Sequence, residues 1–129
     1  MNVNQQLLGG VIIVLLTCAA FAQKQSTIMG TIADSEGAAI ANARVIIHWD
    51  SAGSTVGLTD NIGIQTDLIV TTDKAGRYSI AVPPGFYDVF VSAMAFTPAA
   101  AKVRVKKGQQ ATNNAKLRAD PLVMRELAH

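Results

Sequence analysis

Between residues 27 and 118 apolar side chains recur at every second position in short runs, and turn-forming residues separate the runs. Period two sends successive side chains to opposite faces of an extended chain, so each run predicts a strand with one buried face. The first, 27–33, sets Ile28 and Ile32 against Thr27, Met29 and Thr31. The second, 43–49, sets Val45, Ile47 and Trp49 against Arg44, Ile46 and His48. A third covers 67–72 and a fourth 77–82, the latter with Tyr78, Ile80 and Val82 inward. In the fifth, 86–94, Tyr87, Val89 and Val91 share one face while Phe86 and Phe90 share the other. Two apolar faces predict a central strand. The sixth, 101–106, alternates Val103 and Val105 with Lys102, Arg104 and Lys106. A turn at 107–109 predicts a hairpin into the seventh, 110–118, with Ala111, Ala115 and Leu117 inward.

The interruptions have turn mechanisms of their own. Asp34-x-x-Gly37 and Asp73-x-x-Gly76 combine a side chain that bonds back to the backbone with a glycine that accepts positive φ. Pro83-Pro84-Gly85 stops the fourth strand, because neither proline donates to a ladder. Residues 50–66 form a long loop rich in Gly and Thr, with apolar Val56, Leu58, Ile62 and Ile64. A loop of this length is functional or locally ordered. Pro121 closes the domain, and residues 122–129 suffice for a short helix or a frayed end. Seven strands at intervals near ten residues predict an all-β fold, a seven-stranded antiparallel Greek-key β-sandwich.

The N-terminus reads differently. Residues 7–22 are a charge-free apolar run of 16, short of the roughly 20 that a spanning helix needs. The run ends in Ala20-Phe21-Ala22, a small-x-small cleavage pattern, followed by polar residues. The expectation is a signal peptide over 1–22 cut after Ala22, a domain over 23–118 and a tail over 119–129. Cleavage leaves no stable membrane span and places the chain in a periplasm or outside the cell. It also removes Cys18, the one cysteine, so the mature chain has no thiol and no disulfide. Export without disulfides favours a bacterial envelope.

Charge is unevenly laid out. Residues 34–88 hold seven acids against Arg44, Lys74 and Arg77, whereas 102–118 hold Lys102, Arg104, Lys106, Lys107, Lys116 and Arg118 with no acid. The basic set lacks the interleaved aromatics or recognition helix that nucleic acid asks for. It reads as an outer strand face that discourages edge pairing, or as a patch facing a partner.

Ser92 or Ser79 could be drawn together with His48 as a small hydrolase, but no local signature accompanies them, and His129 is terminal. Asp34, Glu36, Asp60 and Asp73 could offer oxygens to Ca²⁺, yet they are spread over separate turns without D-x-D spacing. Turn chemistry accounts for Asp34 and Asp73. Trp49, at the mouth of the 50–66 loop, is either a core plug or a sugar platform. No catalytic, cofactor-binding or metal-binding residue is therefore assigned.

The ordered set Gly30-x-Ile32-x-Asp34-x-x-Gly37, Ala43-x-Val45, Thr72-Asp73-x-x-Gly76-x-Tyr78-x-Ile80 and Pro84-Gly85-x-Tyr87-x-Val89-x-Val91 resembles the carboxypeptidase regulatory-like domain, one of the transthyretin-like β-sandwiches. The resemblance spans about 26–118. It implies a seven-stranded Greek-key sandwich, typically non-enzymatic, appended to exported peptidases, outer-membrane receptors or surface proteins. Family members commonly carry Gly before the aromatic that follows the fifth strand, where this chain has Ala95 before Phe96. The expected function is an exported, non-catalytic module for protein binding or structural support, with an envelope protein or glycan as partner. Its working parts would be the 50–66 loop and the basic 102–118 hairpin. The loop, as far as 51–63, is expected to be replaceable without loss of the fold. The alternatives are a carbohydrate-binding module using Trp49 and the 50–66 loop, and the hydrolase on His48.

Overall fold

The structure is a computed structural model that describes residues 25–52 and 61–127. Among the described residues eight strands and one helix follow in order: β1 Thr27–Asp34, β2 Arg44–Trp49, β3 Leu68–Thr71, β4 Arg77–Ala81, β5 Gly85–Ser92, β6 Ala99–Val105, β7 Gln110–Thr112, β8 Ala115–Leu117 and α1 Pro121–Leu127. They form two layers. One sheet runs β3-β2-β5-β6; in the other β1 lies between β4 on one edge and β7 with β8 on the other. Ile28, Ile32, Val45, Ile47, Tyr87, Val89, Val91, Val105 and Leu117 fill the space between the layers. These are the inward positions of the period-two pattern, and β5 takes the central place that its two apolar faces imply.

The predicted sandwich is the one found, with two differences in detail. The seventh strand is broken at Asn113 and Asn114 into β7 and β8, and both pair with β1 in parallel. Asparagine suits a strand poorly and bonds readily to nearby backbone. Here Asn114 Oδ1 accepts the Thr31 N–H at 2.9 Å, and the Asn113 N–H donates to the Met29 carbonyl at 2.7 Å. Gly30 makes this possible, since a Cβ there would lie 1.9 Å from the Asn113 carbonyl oxygen.

The second difference corrects the basic hairpin expected over 102–118. β6 pairs with β5, whereas β7 pairs with β1, so residues 106–109 arch from one sheet to the other. Ser26 anchors the arch: its hydroxyl donates to the Lys106 carbonyl at 3.3 Å and accepts the Gly108 N–H at 2.8 Å.

The turn after β5 survives the replacement of glycine. Ala95 itself holds φ 69°, and its carbonyl accepts the Asp120 N–H at 2.8 Å. Phe96 and Ala119 form a bridge, so pairing continues to a residue two positions beyond the end of β8 at Leu117. A left-handed alanine costs about 1–2 kcal/mol, against about 0.5–1 kcal/mol of extra unfolded-state freedom for glycine. Ala95→Gly is therefore expected to raise stability modestly, by about 0.5–1 kcal/mol in a denaturant melt. A loss of stability would show that the Ala95 methyl contributes packing that outweighs its strain.

Candidate functional site

The 50–66 loop ends in a built corner. Its second described part, 61–66, returns along the end of the β3-β2-β5-β6 sheet, where Ile62 N–H and Gly63 N–H both donate to the Pro84 carbonyl at 3.0 and 3.2 Å. Asn61 is the latch. Its Oδ1 accepts the Trp49 indole N–H at 2.8 Å and the Phe86 backbone N–H at 2.9 Å, and its Nδ2 donates to the Asp50 carbonyl at 3.3 Å. Two glycines leave the space this needs. A Cβ on Gly85 would lie 2.7 Å from Asn61 Oδ1, and one on Gly63, at φ 69°, would lie 2.0 Å from the Trp49 ring.

Trp49 is thus half-buried, packed against the core, bonded at its polar tip and covered by Gly63. A sugar platform needs an open ring face. The same contacts correct the expectation that 51–63 can be replaced freely, because that cut removes Asn61 and Gly63. The expectations resting on Val56, Leu58 and Asp60 fall outside the described residues, as do those on 1–22, Cys18 and His129.

The two Asp-x-x-Gly turns use the same device. Asp34 Oδ1 accepts the N–H groups of Glu36 and Ala38, and Asp73 Oδ1 accepts those of Ala75 and Arg77, all at 2.9 Å. Gly37 and Gly76 take φ 92° and 74°. Turn chemistry is what these carboxylates do in the fold. Among the described residues no three His, Cys, Asp or Glu side chains gather as a metal-binding group.

His48 lies on the outer face of the β3-β2-β5-β6 sheet, its Nδ1 2.7 Å from Asp67 Oδ1, with both side chains half-exposed. Neither serine meets it. Ser92 pairs with Arg44, four positions along β2, a separation of roughly 13 Å at strand rise. Ser79 lies on β4 in the other sheet.

The basic set is divided by the fold. Lys102 reaches Asp50 and Asp88 across the sheet, 2.9 Å from each, and these two acids, Asp50 first, raise its pKa to about 12. Arg104 sits over the Phe86 ring, 5.6 Å from its centroid. Lys106 and Lys107 lie within the arch, and Lys116 belongs to the other sheet.

Three polar residues matter more than their sequence context suggests. Buried Thr72 donates to the Ile40 carbonyl at 2.6 Å and accepts the Ala43 N–H at 2.9 Å, fastening the entry to β2. Tyr87 donates to the Pro83 carbonyl at 2.5 Å, and burial pushes its pKa up to about 12, which keeps the hydroxyl a donor. Tyr78 donates to the Asn113 carbonyl at 2.7 Å, and burial likewise raises its pKa. Tyr78 and Tyr87 were legible as inward positions; Thr72 has no local signal beyond its place before Asp73.

The profile of the carboxypeptidase regulatory-like domain matches residues 27–118. The chain belongs to that family, and the two-layer fold is the sandwich expected of it. No curated protein matches the chain in sequence. Among solved structures it is similar to the TIE protein of Bacillus anthracis at 15% identity, TM-score 0.57, covering 74% of this chain and 17% of that one. It is also similar to 3-chlorocatechol 1,2-dioxygenase of Rhodococcus opacus 1CP, at 11% identity, TM-score 0.52, covering 78% and 62%. Hydroxyquinol 1,2-dioxygenase of Pseudomonas putida DLL-E4 gives 8% identity, TM-score 0.54, and coverage of 78% and 58%. This chain spans less than two thirds of each, and the likeness is one of fold.

Proposed function

We propose that this carboxypeptidase regulatory-like domain is an exported, non-catalytic module that binds a protein or glycan partner at the cell envelope, or braces one. The observation that carries the reading is where the polar groups are spent. Asn61, Thr72, Ser26, Asp34, Asp73 and Tyr87 all satisfy backbone groups. His48 has Asp67 beside it and neither candidate serine. A reaction needs a nucleophile, a base and an orienting group in mutual reach. The apolar leader 1–22 supports export, and no helix among the described residues is long and apolar enough to cross a membrane.

The test is cell fractionation with intact mass of the recovered chain, followed by crosslinking to envelope components. A chain starting at Gln23 that crosslinks to one envelope component, less strongly after Lys106→Glu with Lys107→Glu, is the expected result. Retention in the cytoplasm with residues 1–22 attached would overturn the proposal.

A further inference from the structure

The outer face of the β3-β2-β5-β6 sheet carries an ordered pattern that neither the core nor the loop corner uses. The pairing register sets Ile69, Ile46, Phe90 and Ala100 side by side in one row across β3, β2, β5 and β6. Ile69 is 54% exposed and Phe90 43% exposed. Two residues along, the next row runs Asp67, His48, Asp88, Lys102: Asp67 bonds His48, His48 pairs in register with Asp88, and Asp88 with Lys102. An apolar row thus lies beside a row that reads acid, imidazole, acid, ammonium.

That order has a particular symmetry. Reversed, it reads ammonium, acid, imidazole, acid, so a second copy turned about a two-fold axis along the strands sets unlike groups opposite each other. Asp67 then meets Lys102 of the second copy, and His48 meets its Asp88. In the apolar row Ile46 meets Phe90 and Ile69 meets Ala100. A two-fold contact must be self-complementary in this way, each patch facing itself reversed. A two-fold axis across the strands would instead set His48 against Arg44 of the other copy. The face also carries no net charge, with Arg44, Lys102 and Arg104 balancing Asp50, Asp67 and Asp88, so two copies are not held apart.

The geometry points to a homodimer formed by these two outer faces, stacked with the two-fold axis parallel to the strands. Its strength follows from its size. Four strands ~4.8 Å apart, with rows spanning about five residues, give a projected face on the order of 300 Å². Standard interfaces bury about 800 Å² per partner, so this contact is weak and depends on concentration. Lys102 already holds Asp50 and Asp88, so the apolar row supplies affinity while the charged row sets orientation.

Sedimentation velocity of the purified chain over a dilution series tests this. A monomer–dimer equilibrium is expected, with Phe90→Lys and Ile69→Lys each monomeric throughout while melting as the native chain does. The register is tested by mixing. Asp67→Lys alone and Lys102→Glu alone set like charges opposite each other twice, weakening association at least about tenfold. Mixed, the two variants set unlike charges opposite at both junctions and should recover a heterodimer. If Lys102→Glu fails to fold, Lys102→Ala mixed with native chain keeps one of the two junctions and should dimerise between the native level and Lys102→Ala alone. A native chain monomeric at every concentration overturns the proposal, as does a dimer that survives Phe90→Lys, or a mixture no better associated than its parts.

Discussion

Gly30→Ala is expected to lower the stability of this domain by about 3–5 kcal/mol, as read in a denaturant melt. The new Cβ would lie 1.9 Å from the Asn113 carbonyl oxygen and 2.6 Å from its carbon, and both are backbone atoms. A rotamer change cannot relieve the clash, so the segment joining β7 to β8 must move. That segment holds three tight contacts: Asn113 N–H to Met29, the Tyr78 hydroxyl to Asn113, and Thr31 N–H to Asn114. Overpacking costs about 1–3 kcal/mol and each buried group left unpaired about 1–3 more. Against the about 5–15 kcal/mol that holds a single domain together, the loss is large. A change below about 1 kcal/mol would mean that β1 and Asn113 are further apart than described.

Asn61→Ala should cost about 2–4 kcal/mol, since it strips an acceptor from both the Trp49 indole and the Phe86 N–H at once. The companion Asn61→Asp separates structure from volume. It keeps the acceptor atom but not the Nδ2–H that reaches the Asp50 carbonyl, so it should fall between native and alanine. Equal losses from the two would place the weight on that third bond instead. Asn61→Ala should also loosen the 61–64 segment, because the backbone bonds that then hold it among the described residues are those of Ile62 and Gly63 to the Pro84 carbonyl.

The contrast between Gly30 and Asn61 shows which features the sequence carries openly. Alternation exposed the inward faces of β1, β2, β4, β5 and β6, because period two is a local property and burial follows it directly, whereas the 67–72 run gave no face. The Asp34 and Asp73 turns were equally legible, since the bonding partners lie two and four residues away. Gly30 stood out within its motif, although its reason, the carbonyl of Asn113, lies 83 positions on. Asn61 gave no signal. Its partners are 11, 12 and 25 residues distant, and an Asn in a Gly- and Thr-rich loop looks like any other turn former. The arch at 106–109 was misread as a hairpin for a related reason. A tight turn reverses the chain in either case, and only the pairing of β7 with β1 shows that it crosses between layers. Trp49 shares a face with Val45 and Ile47 by alternation, but it ends its strand beside the loop, and only the contacts of Asn61 and Gly63 show that the ring is covered.

If the conspicuous side chains serve the fold, recognition is left to the outer surfaces, and Trp49 is the direct check. The chain has one tryptophan, so its indole N–H gives a single resonance in a nitrogen-15 correlation spectrum. The decisive measurement is the solvent exchange of that proton, with and without added envelope oligosaccharides. Bonded to Asn61 Oδ1 at 2.8 Å and covered by Gly63, it should exchange slowly, ignore the sugars, and become fast in Asn61→Ala. A proton that exchanges freely in the native chain, or shifts on titration with a glycan, would make Trp49 a binding surface and contradict the account.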